Sequence, residues 1–173
     1  MIYLIGKYKS YQPRIASTAF IAPNATIIGN VSIGEHSVIW FNVVIRGTEN
    51  EISIGDRTII EDNVIIHGIS PIRIGNAVII GHNSIIHRSV IEDEVLIGPN
   101  VCIYDDAYIK TGAMIGINSV IQPKQIVESN IMVSGNPIAK KVKKVKVDLE
   151  RHHKYIEKNI KHAKDFKENF IKL

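Results

Sequence analysis

The sequence contains one cysteine, Cys102, among 173 residues. A single thiol excludes an intramolecular disulfide, and its place in an apolar stretch predicts a buried core residue. Aromatic residues are scarce, at 6 % of the chain, so the core must be aliphatic. No apolar run approaches the roughly 18 residues of a membrane-spanning helix. The N-terminus shows no charged segment followed by a long apolar stretch, so no secretory signal is expected and a cytoplasmic setting is the default.

A uniform charge is also lacking. Residues 1–138 carry 9 Lys/Arg and 12 Asp/Glu, whereas residues 139–173 carry 12 and 5. The basic character therefore belongs to the tail, where it reads as a solvated helix face. A nucleic-acid-binding protein would place its basic stripe on the folded body beside stacking aromatics. Neither a nucleic acid nor a membrane is an expected partner.

Hydrophobic residues make up 45 % of the chain, and isoleucine dominates them in a strict order. It stands at Ile15, Ile21, Ile27, Ile33 and Ile39, then at Ile54, Ile60 and Ile66. It recurs at Ile74, Ile80 and Ile86, and from Ile91 through Ile97, Ile103, Ile109 and Ile115. Four places after each comes a small or β-branched residue, from Ala19 and Ala25 to Ala113 and Ser119. Glycine often follows the isoleucine, as in Ile33-Gly34, Ile54-Gly55 and Ile80-Gly81. A spacing of six fits neither the helical nor the simple strand period. It fits a short strand plus a turn, with one isoleucine inward per unit, and three units closing a triangular coil. Coils would then pair as parallel strands about 4.8 Å apart. Sixteen units predict roughly five to six coils.

The phase slips at three points. Three residues are inserted between Ile45 and Ile54, two between Ile66 and Ile74, and one is missing between Ile86 and Ile91. Insertions of this kind become loops on one edge of a solenoid. The repeat fades after Gln122-Pro123. Residues 148–172 carry a helical pattern in Leu149, His152, Ile156, Ile160, Ala163 and Phe170, with Asp148 placed to cap it. The expected organisation is a β-helix with its N-terminal segment and closing loop over 1–147. An amphipathic helix over 148–173 packs against it.

Counting units assigns the polar residues to faces. Ile45, Ile66, Ile86 and Ile103 share one face, and Ile60, Ile80 and Ile97 share another. His67 and His87 each follow an isoleucine of the first face and should stack in neighbouring coils. Arg46 takes the same place one coil below and Tyr104 one coil above. His82 belongs to the other face, two places after Ile80, with Asp62 in the matching place below and Glu61 beside it. One chain would hold His82 away from the pair, whereas a three-fold assembly could bring the two faces together at a subunit boundary. Three imidazoles with an open fourth position are a ligand set for catalytic zinc. Iron or cobalt would also accept them. His152, His153 and His162 fall on the basic helix, outside this set.

Three segments carry a resemblance. They are Trp40-Phe41-Asn42-Val43-Val44-Ile45-Arg46-Gly47, Ile60-Glu61-Asp62-Asn63-Val64-Ile65-Ile66-His67 and Ile80-Gly81-His82-Asn83-Ser84-Ile85-Ile86-His87. The chain resembles the gamma-class carbonic anhydrases, which belong to the hexapeptide-repeat proteins. The resemblance implies an all-β fold, a left-handed parallel β-helix of hexapeptide repeats with a C-terminal α-helix. It implies a homotrimer with interfacial Zn2+, in which His67 and His87 come from one subunit and His82 from its neighbour. It also implies reversible hydration of carbon dioxide to bicarbonate. Glu61, Asp62 and Arg46 are the candidate catalytic residues, the carboxylates as groups that accept a hydrogen bond or a proton beside the metal. Two positions depart from the family pattern, which has Gln at Glu61 and commonly Asp at Thr48. Arg46 would then pair with another carboxylate, such as Asp62, and Glu49 or Glu51 would stand in for a proton-relaying acidic loop. Two other readings use the same scaffold. One is an acyltransferase or thioesterase acting on a CoA thioester, and the other is a silent trimer cemented by zinc.

Overall fold

The computed structural model describes residues 4–138 and 148–170. The six-residue unit folds as the spacing predicts. Each unit contributes a short strand whose isoleucine points inward, and equivalent strands of successive coils pair in parallel. Ile27, Ile45, Ile66, Ile86, Ile103 and Ile121 form one inward ladder. Ile21, Ile39, Ile60, Ile80, Ile97, Ile115 and Val133 form another. Ile33, Ile54, Ile74, Ile91, Ile109 and Val127 line the third face. These side chains make one continuous aliphatic core along the axis. Its stacked, β-branched residues suit the pleated interior.

The coil count exceeds the expectation. One sheet has seven strands, one per coil, running from Phe20–Ile21 to Met132–Val133. The repeat does not stop at Gln122-Pro123. Val127 and Val133 occupy the isoleucine slots, 2 % and 3 % exposed, and valine hid them from an isoleucine count.

The residues four places after the isoleucines fill the narrow corners. Ala25, Val31, Ser37, Val43, Thr58, Val64 and Ser84 are wholly buried. The corner hydroxyls of Ser37, Thr58 and Ser84 are satisfied, as where Ser37 donates to the Gly55 carbonyl at 2.7 Å. Ser70 and Val90 are only half-buried, and both stand at phase slips. Gly55 shows why glycine follows the isoleucine. A Cβ there would lie 2.5 Å from Asn76 Oδ1, which accepts the Asp56 amide of the coil below at 2.8 Å. The corner leading to the first ladder takes a left-handed residue in five successive coils. Asn42, Asn63, Asn83, Asn100 and Asn118 supply it, with φ between 56° and 63°, a region asparagine tolerates.

Two expectations are corrected. The three residues inserted before Ile54 make no projecting loop, because Val44–Ile54 runs as one strand through the corner. It pairs with Thr26–Ile33, with a register shift between Gly29 and Val31, and so joins two faces into one 12-stranded sheet. Glu49 and Glu51 on this strand pair with Lys9 and Arg14. Cys102 is not a core residue. It sits half-exposed on the outward side of its strand, in register with Ile85 and Val120.

The C-terminal helix spans Leu149–Asn169, and the Asp148 side chain accepts from the Arg151 amide as its cap. His152, Ile156, Ile160 and Ala163 are buried as expected. They close over Val38, Trp40, Ile59 and Ile79 on the outer side of the seven-stranded sheet. Leu149 and Phe170, at the two ends, remain exposed. Residues 139–147, which lead up to the expected domain boundary, lie outside the described residues. None of the described helices is long and apolar enough to cross a membrane.

Candidate metal centre

The register places His67 directly beside His87, and Arg46 directly below His67. The two imidazole rings stand 5.9 Å apart between centroids and nearly perpendicular. Their Nδ1 atoms are both committed. His67 Nδ1 lies 3.0 Å from the Arg46 carbonyl oxygen. A carbonyl only accepts, so Nδ1 carries the proton and donates. His87 Nδ1 donates to the carboxylate of Asp105. Neither Nε2 has a protein partner among the described residues. Two neighbouring imidazoles with Nδ1–H satisfied, and a lone pair on each Nε2, are prepared to share an ion.

His82 lies on the other face, as the unit count requires, and is not clustered with His67 and His87 within one chain. It groups instead with Glu61 and Asp62, whose donor atoms and its own all fall within 4.8 Å of one another. Asp62 uses both oxygens. Oδ1 accepts the Phe41 amide at 3.0 Å, and Oδ2 lies 3.2 Å from His82 Nδ1. His82 Nε2 faces Glu61 Oε2 at 3.6 Å, too long for a hydrogen bond. The imidazole and the two carboxylates together form a set of donor atoms that fits a cation.

Glu61 is 6 % exposed and is held from above. Tyr155, on the helix, donates its hydroxyl to Glu61 Oε1 at 2.6 Å. Burial, then the Glu61 carboxylate, pushes the Tyr155 hydroxyl up to about 12, so it remains a donor across the physiological range. Trp40 donates Nε1–H to Asn159 Oδ1 at 3.1 Å and anchors the same stretch of helix. Between helix and coil lies a cavity of about 390 Å³, lined in part by Trp40, Phe41, Glu61, Asp62, His82, Tyr155 and His162.

Arg46 is exposed and has no acidic partner among the described residues. Its suggested mate, Asp62, is on the other face and is engaged with His82. His152 is a structural residue. It is 4 % exposed and bonds through Nε2 to the Ala77 carbonyl at 2.6 Å. Burial holds its pKa below the ordinary histidine value.

The sequence reading missed Asp105 and Tyr155. Asp105 could have been found by extending the unit count one coil beyond His87. Tyr155 left no such signal, because the repeat does not say where the helix docks.

Residues 13–47 match the family of bacterial transferase hexapeptide repeats. A solved hexapeptide transferase family protein from Anaplasma phagocytophilum is 30 % identical, with a TM-score of 0.82, covering 97 % of this chain and 98 % of that one. The chain belongs to the hexapeptide-repeat family. Another member, a Bacillus cereus protein provisionally named an acetyltransferase, is 35 % identical with a TM-score of 0.84, covering 95 % of this chain and 99 % of that one. Carbonic anhydrases, including gamma-class members, match this hexapeptide-repeat chain at 33–40 % identity. The carbonic anhydrase of Geobacillus kaustophilus is 40 % identical over 68 % of this chain and 56 % of its own length. The chain spans about half the length of such curated relatives.

Proposed function

We propose that this hexapeptide-repeat protein is a zinc-dependent carbonic anhydrase of the gamma type. It would hydrate carbon dioxide reversibly at sites between the subunits of a homotrimer, in a cytoplasmic setting. The observation that carries the reading is the paired state of His67 and His87, with both Nδ1 atoms donated away and both Nε2 atoms left to coordinate. Zinc is favoured by the all-imidazole set, and Fe2+ or Co2+ would be accepted by the same atoms. His82 of a neighbouring subunit completes the set. The outward ladder of Ile65 and Ile85, 43 % and 40 % exposed beside the histidines, supports an apolar subunit contact there. Arg46, without an acidic partner among the described residues, is available to a neighbour's Asp62.

Zinc, when bound, supplies a Lewis acid that makes water a nucleophile near neutral pH. The remaining work falls to the chain. Asp62 stands behind His82, with Oδ2 3.2 Å from Nδ1. Tyr155 holds one oxygen of Glu61, so the other, Oε2, is directed towards His82 and can accept a proton. Trp40 and Phe41 give the cavity an apolar wall suited to a small uncharged substrate.

Transfer of an acyl group from a CoA thioester is the competing reading, supported by the names of the two solved structures. It needs one basic imidazole, and the twin of His67 and His87 has no task in it. Metal analysis and a carbon dioxide hydration assay on the same preparation separate these readings. Zinc near one per chain with hydration activity is expected. Metal-free protein that hydrolyses or transfers from acetyl-CoA would overturn the proposal. Zinc without hydration would leave a silent, metal-cemented trimer.

A further inference from the structure

We infer that Asp105 is a positioning residue, which fixes the tautomer and orientation of His87 and so sets its strength as a ligand. The inference rests on the reading of His87 as a metal ligand.

The two histidines of the pair are held by different means. His67 donates Nδ1–H to the backbone of Arg46, in the coil below. His87 donates to the side chain of Asp105, in the coil above. One ring is tied downward and the other upward. Only the upper tie can be removed by substitution.

Asp105 is singular in its column. It stands two places after Ile103, and the turn bonds from Asp106 to the Arg88 carbonyl and from Lys124 to the Asp105 carbonyl align it with Arg88 below and Pro123 above. Gly47 and Gly68 occupy the same place in lower coils. No other described coil offers a carboxylate there. The turn that carries Asp105 is tied to the coil below by the Asp106 amide, which donates to the Arg88 carbonyl, and by the Arg88–Asp106 ion pair. The carboxylate is delivered to His87 from this corner. A carboxylate behind a ligating imidazole fixes its tautomer and raises its basicity, and loss of such a partner weakens metal binding about 10–100-fold.

The test compares wild type with Asp105→Ala and Asp105→Asn. Two quantities are read: zinc affinity by chelator competition, and the histidine tautomers of the metal-free protein by 15N NMR at mildly alkaline pH. In wild type, His87 should carry its proton on Nδ1. Asp105→Ala should shift His87 towards the Nε2–H form, leave His67 unchanged, and weaken zinc binding about 10–100-fold. Asp105→Asn keeps an acceptor of the same shape without the charge and should fall between. A His87 tautomer and zinc affinity unchanged in Asp105→Ala would overturn the inference. Wild type that binds no zinc, with the tautomer shift intact, would overturn the metal reading and uphold the positioning of His87 by Asp105.

Discussion

His67 and His87 owe their placement to the coil alone, whereas His82 shares its corner with a helix from the far end of the chain. The first pair is set by register. Two identical places in adjacent coils bring two rings together, and the neighbouring coils supply both Nδ1 acceptors. The second cluster is assembled in layers. Asp62 comes from the coil below His82, and Glu61 is roofed by Tyr155. One half of the site is inherited from a repeat, and the other depends on docking between distant parts of the sequence. Damage to the helix should therefore spare the first half and disturb the second.

The largest effect should come from the coil half. His67→Ala or His87→Ala removes a donor atom that no other described residue replaces. Bound zinc and carbon dioxide hydration should both fall to background, while the far-ultraviolet circular dichroism of the β-helix persists. Retained zinc at one per chain would break the comparison at its stronger side. Glu61→Ala addresses the layered half. It should leave zinc content unchanged and lower the hydration rate about 100–10,000-fold, the range of a positioned acid–base group.

These outcomes bear on what could be read without coordinates. The isoleucine period determined the register, so His67, His87 and Arg46 were placed by counting, and His82 was excluded from their face by the same count. Counting failed where chemistry replaced identity. Val127 and Val133 carried the coil onward unnoticed, and the segment of Glu49 and Glu51 proved to be strand where a loop was expected. Asp105 went unread because its importance is diagonal, one coil up and one place along. The contact between Tyr155 and Glu61 had no local signature, since helical periodicity states which face is buried and not against what.

Smaller effects sharpen the contrast. Tyr155→Phe removes the donor to Glu61 Oε1 and should slow hydration about tenfold, the scale of one hydrogen bond to a charged group. Zinc affinity should not change. Because the folded Tyr155 pKa is raised to about 12, its contribution is full below the ordinary tyrosine value near 10 and is lost only as pH rises through about 12. The wild-type rate should thus show no inflection near pH 10 from this residue. The smallest effect concerns His152. Its folded pKa is depressed by burial, so its contribution is complete above the unfolded value near 6.5 and is lost as pH falls below it. Acidification should loosen the helix before the coils. The fluorescence of Trp40, the single tryptophan, which bonds to Asn159 of the helix, should report this below about pH 6.5. His152→Gln should flatten the response.

Strand pairing joins each coil only to the coil above and the coil below. Such a stack behaves as a one-dimensional chain of coupled units, in which opening starts at the ends and advances inward. Counted on the seven-stranded sheet, His67 and His87 belong to the third and fourth of seven coils. Fraying from either terminus must dismantle several intact layers before it reaches them, so the most chemically demanding part of the molecule occupies its most slowly exchanging position.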